Sequence, residues 1–269
     1  MSIAIKAIVF DWAGTTIDFG SRAPVVALLR LFEQARVPIT EAEARADMGR
    51  AKRDHIRAIL AQPRVSAAWV VRHGAAAGED DVSRLHDAVE PIMRSAAADC
   101  AVLVPGAADL VERLRDEGVR IGSCTGYTRA MMTDILPRAA EQGYAPDSVV
   151  CSGETTEGRP SPLMAWKVLV ELGVWPSAAC VKVDDATVGI GEGREAGMWT
   201  VGVAASGNGV GLNADALAAL PDDERAGRIA AAADALRAAG ADYVVDSVAD
   251  LWPVLETIST RITAGEKPA

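Results

Sequence analysis

The sequence predicts an α/β fold, in which a doubly wound parallel sheet carries an all-helical segment inserted after its first strand. From about residue 103 onward, short apolar runs alternate with helical patterns, as in βαβ units. Residues 22–99 show helical periodicity and no convincing strand pattern. The apolar run at residues 3–10 ends in Asp11 and a glycine-containing loop. Open α/β sheets place their ligands at such strand ends.

The elements after the insertion can be predicted in order. They are a helix at 106–117, a strand at 119–123, a helix at 129–140, a strand at 148–151, a helix at 161–172, a strand at 179–183, a helix at 190–196 and a strand at 199–203. Proline and glycine residues mark the helix ends, for example Gly118 and Gly173 after two of them. The Gly/Asn-rich segment 206–220 is predicted to be a loop, and the Ala-rich run 226–240 a helix.

This order of elements predicts two domains. Residues 1–20 and 100–269 form the α/β core, and residues 21–99 form a helical domain. A chain of 269 residues, half of them hydrophobic, is long enough to build both. An insertion at this position emerges beside the ligand-binding edge of the sheet, where it can act as a lid.

Composition excludes several partners. A net charge of −10 and a pI near 4.9 argue against nucleic-acid binding, which relies on basic residues. The sequence has no uncharged apolar run of about 18 residues, so we expect no membrane span. The four cysteines lie far apart without metal-type spacing. Cys124, Cys151 and Cys180 fall at or near predicted strand ends and are expected to be buried thiols rather than disulfides. We therefore expect a cytoplasmic protein.

Three predicted strands end in residues that could share one site. Asp11 follows the first strand, Thr125 and Gly126 follow the second, and Asp184 and Asp185 follow a later one. Carboxylate oxygens bind Mg²⁺, and hydroxyl and backbone N–H groups bind phosphate oxygens. Taken singly, each could be an ordinary strand cap, but together they predict a cradle for a phosphoryl group and a hard cation.

A dinucleotide site is not expected. The glycines at positions 189, 191 and 193 have the spacing G-x-G-x-G and lie several residues beyond their strand. This pattern fails the G-x-G-x-x-G fingerprint of nicotinamide and flavin sites.

The order of these residues, with the cationic Arg159 before a helix, resembles the haloacid dehalogenase superfamily over the whole core. The resemblance implies that Asp11 is the nucleophile that becomes an aspartyl phosphate. In the superfamily an acid two positions later protonates a departing alkoxide, but this chain has Ala13 there. Because such an acid is worth about 10²–10⁴-fold in rate, ordinary phosphomonoester hydrolysis is disfavoured. Either catalysis has been lost or the leaving group needs no such proton.

The helical segment offers another way to stabilise a leaving group, through Lys52. A lysine of lowered pKa condenses with an aldehyde or ketone to an iminium, which draws electrons from a bond to the β carbon. Arg50 and Arg53 would favour neutral Lys52 if they face it, and His55, about one turn away, could shuttle protons. Without other evidence, Lys52 would be interpreted as a solvated lysine on the surface. Its coincidence with Ala13 supports the iminium hypothesis.

Four segments together resemble the phosphonoacetaldehyde hydrolase family. They are residues 11–16 (DWAGTT), 48–52 (MGRAK), 124–128 (CTGYT) and 196–202 (AGMWTVG). The resemblance implies Mg²⁺-dependent conversion of a small phosphonate, phosphonoacetaldehyde, and water to acetaldehyde and phosphate, in bacterial use of 2-aminoethylphosphonate. It makes Lys52 the Schiff-base lysine and implies a homodimer.

The same resemblance assigns the substrate-binding residues. Thr125 would bind a phosphoryl oxygen, Gly126 would let the backbone approach, and Arg159, where the family usually has a lysine, would neutralise phosphoryl charge. The remaining candidates are Met48, Gly49, His55 and Tyr127. For Tyr127, pocket lining and simple packing both stay open.

The expected metal ligands are the carboxylates of Asp11 and Asp185 and the carbonyl oxygen of Ala13. We rank Asp184 below Asp185 as a ligand. Many superfamily members carry a further acidic residue four positions after the Asp185 equivalent, whereas this chain has Gly189. This departure leaves one position of the expected metal site without an acid.

Two other functions are also compatible with the sequence. A superfamily phosphatase acting on a phosphomonoester would share the core, although Ala13 opposes it. A non-enzymatic phosphoacceptor module would also combine paired aspartates, a threonine and Mg²⁺. Such modules are much shorter and need no helical domain with a lysine.

Overall fold

The computed structural model describes residues 3–46 and 52–268. Met48 and Gly49, two of the predicted substrate-binding residues, and Arg50 lie outside the described residues. The chain divides into two compact units, one made of Met1–Arg22 with Cys100–Ala269 and the other of Ala23–Asp99. The boundaries expected from the sequence were 20/21 and 99/100.

The Ala23–Asp99 unit is helical. Its helices are α1 (Ala23–Gln34), α2 (Glu41–Arg45), α3 (Lys52–Ala61), α4 (Pro63–His73) and α5 (Glu79–Asp99). Buried apolar residues from all five helices, such as Leu28, Ile56 and Trp69, form its core. The described part of this unit contains no strand, as predicted.

The other unit is built on a six-stranded parallel sheet. The strands are β1 (Ala7–Phe10), β2 (Arg120–Thr128), β3 (Ser148–Ser152), β4 (Cys180–Asp184), β5 (Trp199–Val203) and β6 (Tyr243–Val245). Their spatial order is β3-β2-β1-β4-β5-β6. Phe10 of β1 lies beside Ser123 of β2 and Val183 of β4. The predicted doubly wound α/β class is therefore confirmed, and strand order reverses at β1, where such sheets bind ligands.

Helices accompany this sheet along the chain. They are α6 (Ala107–Asp116), α7 (Arg129–Glu141), α8 (Leu163–Leu172), α9 (Thr187–Glu195), α10 (Ala214–Ala218), α11 (Asp222–Ala238) and α12 (Leu251–Thr263). Buried apolar residues of α8 pack against β1, β2 and β3, while those of α11 pack with residues after β5. The site described below lies at the carboxyl ends of β1 and β4.

Two predicted elements need correction, and the sequence did not predict strand β6 or helix α12. Residues 206–220 are not all loop, because the Asn213 side chain accepts a hydrogen bond from the backbone N–H of Ala216 and caps the short helix α10. Strand β2 runs on to Thr128, because its pairing with β3 continues past a register shift after Thr125. Strand β6, only three residues long, was not predicted, since alternation cannot be recognised over so short a run.

Two composition-based expectations can also be compared with the structure. All four cysteines are free thiols, and Cys124, Cys151 and Cys180 are buried, as predicted. Among the described residues, none of the helices combines the length and the apolar character that crossing a membrane would require.

Candidate active site

Three aspartates meet where β1 and β4 end. Asp11 follows β1, Asp184 is the last residue of β4, and Asp185 comes next. One carboxylate oxygen from each lies within 4.8 Å of the other two. All three are buried, and Asp184 has no solvent exposure. Parallel neighbouring strands thus bring together three of the residues predicted from the sequence.

Asp185 is held in place by the loop that follows Asp11 and by the backbone N–H of Asn208. The hydroxyl of Thr15 donates to Asp185 Oδ1 over 3.2 Å, and the backbone N–H of Asn208 donates to Oδ2 over 2.7 Å. Gly14 has a φ of +86°, and a Cβ there would lie 2.4 Å from Asp185 Oδ2, so the position requires glycine. Ala13 precedes Gly14 on this loop.

Asp184 is held by two cations and a backbone group. Its Oδ1 accepts a hydrogen bond of 3.0 Å from the backbone N–H of Ala186. Its Oδ2 lies 2.9 Å from Lys182 Nζ and 3.4 Å from Arg159 Nη1. Lys182 is two residues earlier on β4, so both side chains point to the same face of the sheet.

Arg159 joins the cluster from the loop between β3 and α8. Its Nη2 lies 2.7 Å from Asp11 Oδ1 and donates to the carbonyl oxygen of Cys124 over 2.6 Å. Its Nε donates to Glu192 Oε2 over 3.0 Å. The predicted phosphoryl-binding cation therefore lies directly against Asp11.

Sequence reasoning missed Lys182 and Glu192, which are both completely buried in this cluster. A signal existed for Lys182, because a lysine inside the apolar run of β4 must find a counterion when it is buried. Glu192 lies in the middle of α9, where no local pattern distinguishes it from a solvent-facing glutamate.

The cluster carries more negative than positive charge. Its carboxylates are Asp11, Asp184, Asp185 and Glu192, and its cations are Arg159 and Lys182. When every group is ionised, the excess amounts to two negative charges.

The pKa shifts of the three aspartates follow from their burial and from the charges around each one. Burial and the nearby Asp184 raise the pKa of Asp11 to about 6, against the opposing effect of Arg159. Burial, Asp11 and Asp184 raise the pKa of Asp185 well above its usual value. For Asp184, Arg159 and Lys182 outweigh burial and lower the pKa. A divalent cation bound by these hard oxygen donors would remove the repulsion, so the residues fit Mg²⁺.

The predicted residues at the end of β2 lie at the same edge of the sheet. Thr125 is buried, and its hydroxyl accepts a hydrogen bond of 3.1 Å from the backbone N–H of Tyr127. Gly126 is exposed, and a Cβ there would meet open space. The Tyr127 hydroxyl is buried without a hydrogen-bond partner in the described residues. Burial and the charges of Asp18 and Asp11 raise the pKa of this hydroxyl well above its usual value.

Lys52 and His55 belong to the helical unit. Lys52 begins α3, and burial alone lowers the pKa of its amine. Arg53 does not contribute as expected, because its guanidinium lies 3.3 Å from Glu79 and 2.8 Å from Ser83. His55 is buried, with Nε2 2.8 Å from the carbonyl oxygen of Ala44. Because a carbonyl oxygen can only accept, Nε2 carries the hydrogen and donates this hydrogen bond within the helical unit.

Comparison with known proteins agrees with this site. A family model described as haloacid dehalogenase-like hydrolase matches residues 5–197. The phosphonoacetaldehyde hydrolase of Paraburkholderia phytofirmans is 51% identical over 98% of this chain and 99% of its own length. The enzyme of the same name from Salmonella typhi is 46% identical, over 98% of this chain and 99% of its length.

Solved structures show the same relationship. A phosphonoacetaldehyde hydrolase-like protein from Oleispira antarctica has a TM-score of 0.85 and 45% identity, covering 99% of this chain and 97% of that one. A β-phosphoglucomutase from Clostridium difficile has a TM-score of 0.59, covers 97% and 99% of the two chains, and is 17% identical, so it shares the fold alone. By its sequence relatives, its fold and the matched family model, this chain belongs to the phosphonoacetaldehyde hydrolase family of haloacid dehalogenase-like hydrolases.

Proposed function

We propose that this protein hydrolyses the carbon–phosphorus bond of phosphonoacetaldehyde, giving acetaldehyde and phosphate. Relatives that bear this activity as their name match the chain over nearly its whole length at 42–51% identity. The acidic cluster with Arg159 offers a phosphoryl site, and Lys52 offers an amine of lowered pKa. Together these groups suit a substrate that carries both a phosphonate and an aldehyde.

Lys52 would begin the reaction by forming an iminium with the aldehyde. Condensation of the neutral amine with the carbonyl, with uptake of one proton, releases water and leaves a positively charged iminium nitrogen two bonds from the phosphorus-bearing carbon. Burial lowers the pKa of Lys52, which increases the fraction of neutral amine. The charged nitrogen can then accept the electron pair of the carbon–phosphorus bond as that bond breaks.

Asp11 would attack the phosphorus. One of its carboxylate oxygens forms the new oxygen–phosphorus bond while the carbon–phosphorus bond breaks, giving an aspartyl phosphate and a neutral enamine. Arg159, 2.7 Å from Asp11, would neutralise phosphoryl oxygens with its planar fork of donors. Water then hydrolyses the aspartyl phosphate, and protonation and hydrolysis of the enamine release acetaldehyde.

Mg²⁺ would be held by Asp11, Asp185 and the Ala13 carbonyl oxygen, with water and a phosphoryl oxygen as further ligands. When bound, it would offset the charge of the carboxylates and the phosphoryl group. Asp184 ranks behind Asp185 because its Oδ2 is already paired with Lys182 and Arg159. Thr125 and Tyr127 would contact the substrate from the end of β2.

The observation that carries this proposal is the combination of Asp11 with Ala13. Asp11 lies in a phosphoryl-type site, yet the chain has no carboxylic acid two residues later to protonate an alkoxide. Cleavage of a carbon–phosphorus bond into an enamine expels no alkoxide, so it does not require that acid. Ordinary phosphomonoester hydrolysis does require it.

The test is a paired assay of acetaldehyde and phosphate released from phosphonoacetaldehyde, with and without Mg²⁺, beside a generic phosphomonoester. We expect acetaldehyde and phosphate in equimolar amounts that depend on Mg²⁺, and almost no hydrolysis of the phosphomonoester. Comparable activity on the phosphomonoester would favour a phosphatase. Stable phosphorylation without turnover would favour a phosphoacceptor module.

By the same resemblance we propose a cytoplasmic homodimer that acts in the use of 2-aminoethylphosphonate. Light scattering on the purified protein tests the dimer, and a monomer at micromolar concentration would contradict it.

A further inference from the structure

Within this cluster, Glu192, Lys182 and the Cys124 thiol form an inner layer of buried polar groups. Glu192 Oε2 lies 3.0 Å from Arg159 Nε and 3.2 Å from Lys182 Nζ. The thiol of Cys124 donates to the same oxygen over 3.3 Å and accepts a hydrogen bond of 3.3 Å from Lys182. Burial raises the pKa of this thiol to about 11, which keeps its proton in place for that contact. The reaction described above uses neither the thiol, nor Lys182, nor Glu192.

Two glycines allow helix α9 to pack closely against this layer. A Cβ at Gly193 would lie 2.7 Å from the Lys182 Cβ, so the helix backbone packs directly on β4. A Cβ at Gly191 would lie 3.0 Å from Pro160, the residue after Arg159. Glu192, between these two glycines, is therefore fixed by close backbone contacts on both sides.

The fixed position of Glu192 determines how the Arg159 guanidinium is oriented. A guanidinium is planar, so fixing its Nε toward one acceptor determines where both Nη groups point. With Nε on Glu192, Nη2 faces Asp11 at 2.7 Å and Nη1 faces Asp184 at 3.4 Å. Glu192 thus holds the far side of the guanidinium, while the aspartates meet its two Nη groups.

We propose that Glu192, steadied by Lys182, is a positioning residue that orients the Arg159 guanidinium for the phosphoryl group. The proposal deepens the proposed function and rests on it for the identity of the anion. Positioning errors of about 1 Å can cost a reaction about 10²-fold, so a residue that touches no substrate can still control the rate.

The decisive variant is Glu192→Gln, which keeps the shape and one acceptor oxygen but removes the charge. Two readouts are used: binding of inorganic phosphate by calorimetry in the presence of Mg²⁺, and kcat and KM for phosphonoacetaldehyde. Positioning predicts that phosphate binds about tenfold more weakly, with a similar loss in kcat/KM. A purely electrostatic role predicts the opposite sign, because removing a negative charge near the site favours an anion. Phosphate binding that is unchanged or tighter would overturn the proposal.

A double-mutant cycle tests whether the effect passes through Arg159. Lysine has no Nε for Glu192 to hold, so Glu192→Gln should weaken phosphate binding in the native background and have little further effect in Arg159→Lys. Equal effects in both backgrounds would contradict the proposal. If the unaltered protein releases no acetaldehyde, the proposed reaction fails, while the phosphate measurements still decide the role of Glu192.

The matched control is Asp242→Asn. Asp242 is a half-buried carboxylate that accepts hydrogen bonds of 2.8 Å and 3.0 Å from Thr200, at the opposite edge of the sheet. Removing its charge should lower stability without changing phosphate affinity. Thermal unfolding of both variants measures the structural cost separately. Weaker phosphate binding by the Asp242 variant as well would assign the effect to general destabilisation and overturn the proposal.

Discussion

The Asp184 carboxylate occupies the space directly over Gly189. A Cβ at position 189 would lie 2.0 Å from the Asp184 Cγ, closer than any real contact. An acidic residue at this helix position, as the superfamily resemblance led us to expect, therefore could not coexist with Asp184 in its present place. The chain has its additional buried carboxylate on β4, and the glycine on α9 makes room for it.

This relationship predicts that Gly189→Ala is destabilising. Alanine in a helix normally gains about 1 kcal/mol over glycine, but here the methyl group must displace a buried, ion-paired carboxylate. We expect a net loss of about 1–3 kcal/mol, as for other overpacked cores, measured by urea unfolding. Mg²⁺ binding should weaken as well, because Asp184 neighbours the other carboxylates.

Gly227→Ala is the matched control for that change. Gly227 lies in α11 and is exposed, and apart from its chain neighbours and the backbone of its own helix, a methyl group added there would meet no atom within 4 Å. The same substitution there should stabilise the protein by about 0.5–1 kcal/mol. If both variants were stabilised alike, the steric relationship between Asp184 and Gly189 would be refuted.

Lys52→Arg should abolish turnover and leave Mg²⁺ binding intact. Arginine keeps the positive charge but cannot form the iminium, so acetaldehyde release should fall to background. Borohydride with substrate should inactivate the unaltered protein by reducing the iminium, and it should leave no adduct on the variant. Near-full turnover by Lys52→Arg would exclude the Schiff base.

Two further variants sharpen this test. Lys167→Arg changes a half-exposed lysine that lies 3.9 Å from Glu171, and it should behave like the unaltered protein. Asp11→Ala should stop phosphate release while borohydride still traps the substrate on Lys52. Loss of trapping in Asp11→Ala would show that the two steps cannot be separated in this way.

The stabilisation given by Mg²⁺ should increase with pH. In the metal-free protein the pKa of Asp11 is raised from 3.8 to about 6, so this group favours folding at acidic pH and loses that contribution as pH rises through about 6. Asp185 shifts in the same direction. Mg²⁺ binds only the ionised carboxylates and relieves their repulsion, so its benefit is small at low pH.

Urea unfolding at about pH 5 and about pH 7, with and without Mg²⁺, measures this difference. The shift of the unfolding midpoint caused by the metal should be clearly larger at about pH 7. In Asp185→Asn the metal-dependent shift should shrink at both pH values, since one charged ligand is lost. An equal shift at both pH values in the unaltered protein would contradict the assignment of these carboxylates.

The sequence allowed prediction of those site residues whose position depends on strand ends. Asp11 and Asp185 were predictable because the carboxyl ends of neighbouring parallel strands meet at one edge. Glu192 was not, because its burial depends on how closely the glycines of α9 approach β4, which is a tertiary property. Likewise, a lowered pKa of Lys52 was expected if Arg50 and Arg53 faced it. Arg53 pairs with Glu79, Arg50 lies outside the described residues, and burial lowers the pKa of Lys52.

Ala13→Asp tests why the chain lacks an acid at this position. If the reaction expels an enamine carbon, a restored carboxylic acid has no alkoxide to protonate, and turnover of phosphonoacetaldehyde should not rise. It should instead fall, because the cluster already carries an excess of two negative charges and a further carboxylate repels the phosphonate. Ala13→Asn adds the same bulk without the charge and separates crowding from repulsion.

Hydrolysis of a phosphomonoester by Ala13→Asp should increase, by up to about 10²-fold, because an alkoxide leaving group does use the acid. A large gain on phosphonoacetaldehyde would mean that its leaving group needs a proton from position 13, and the enamine mechanism would have to be abandoned.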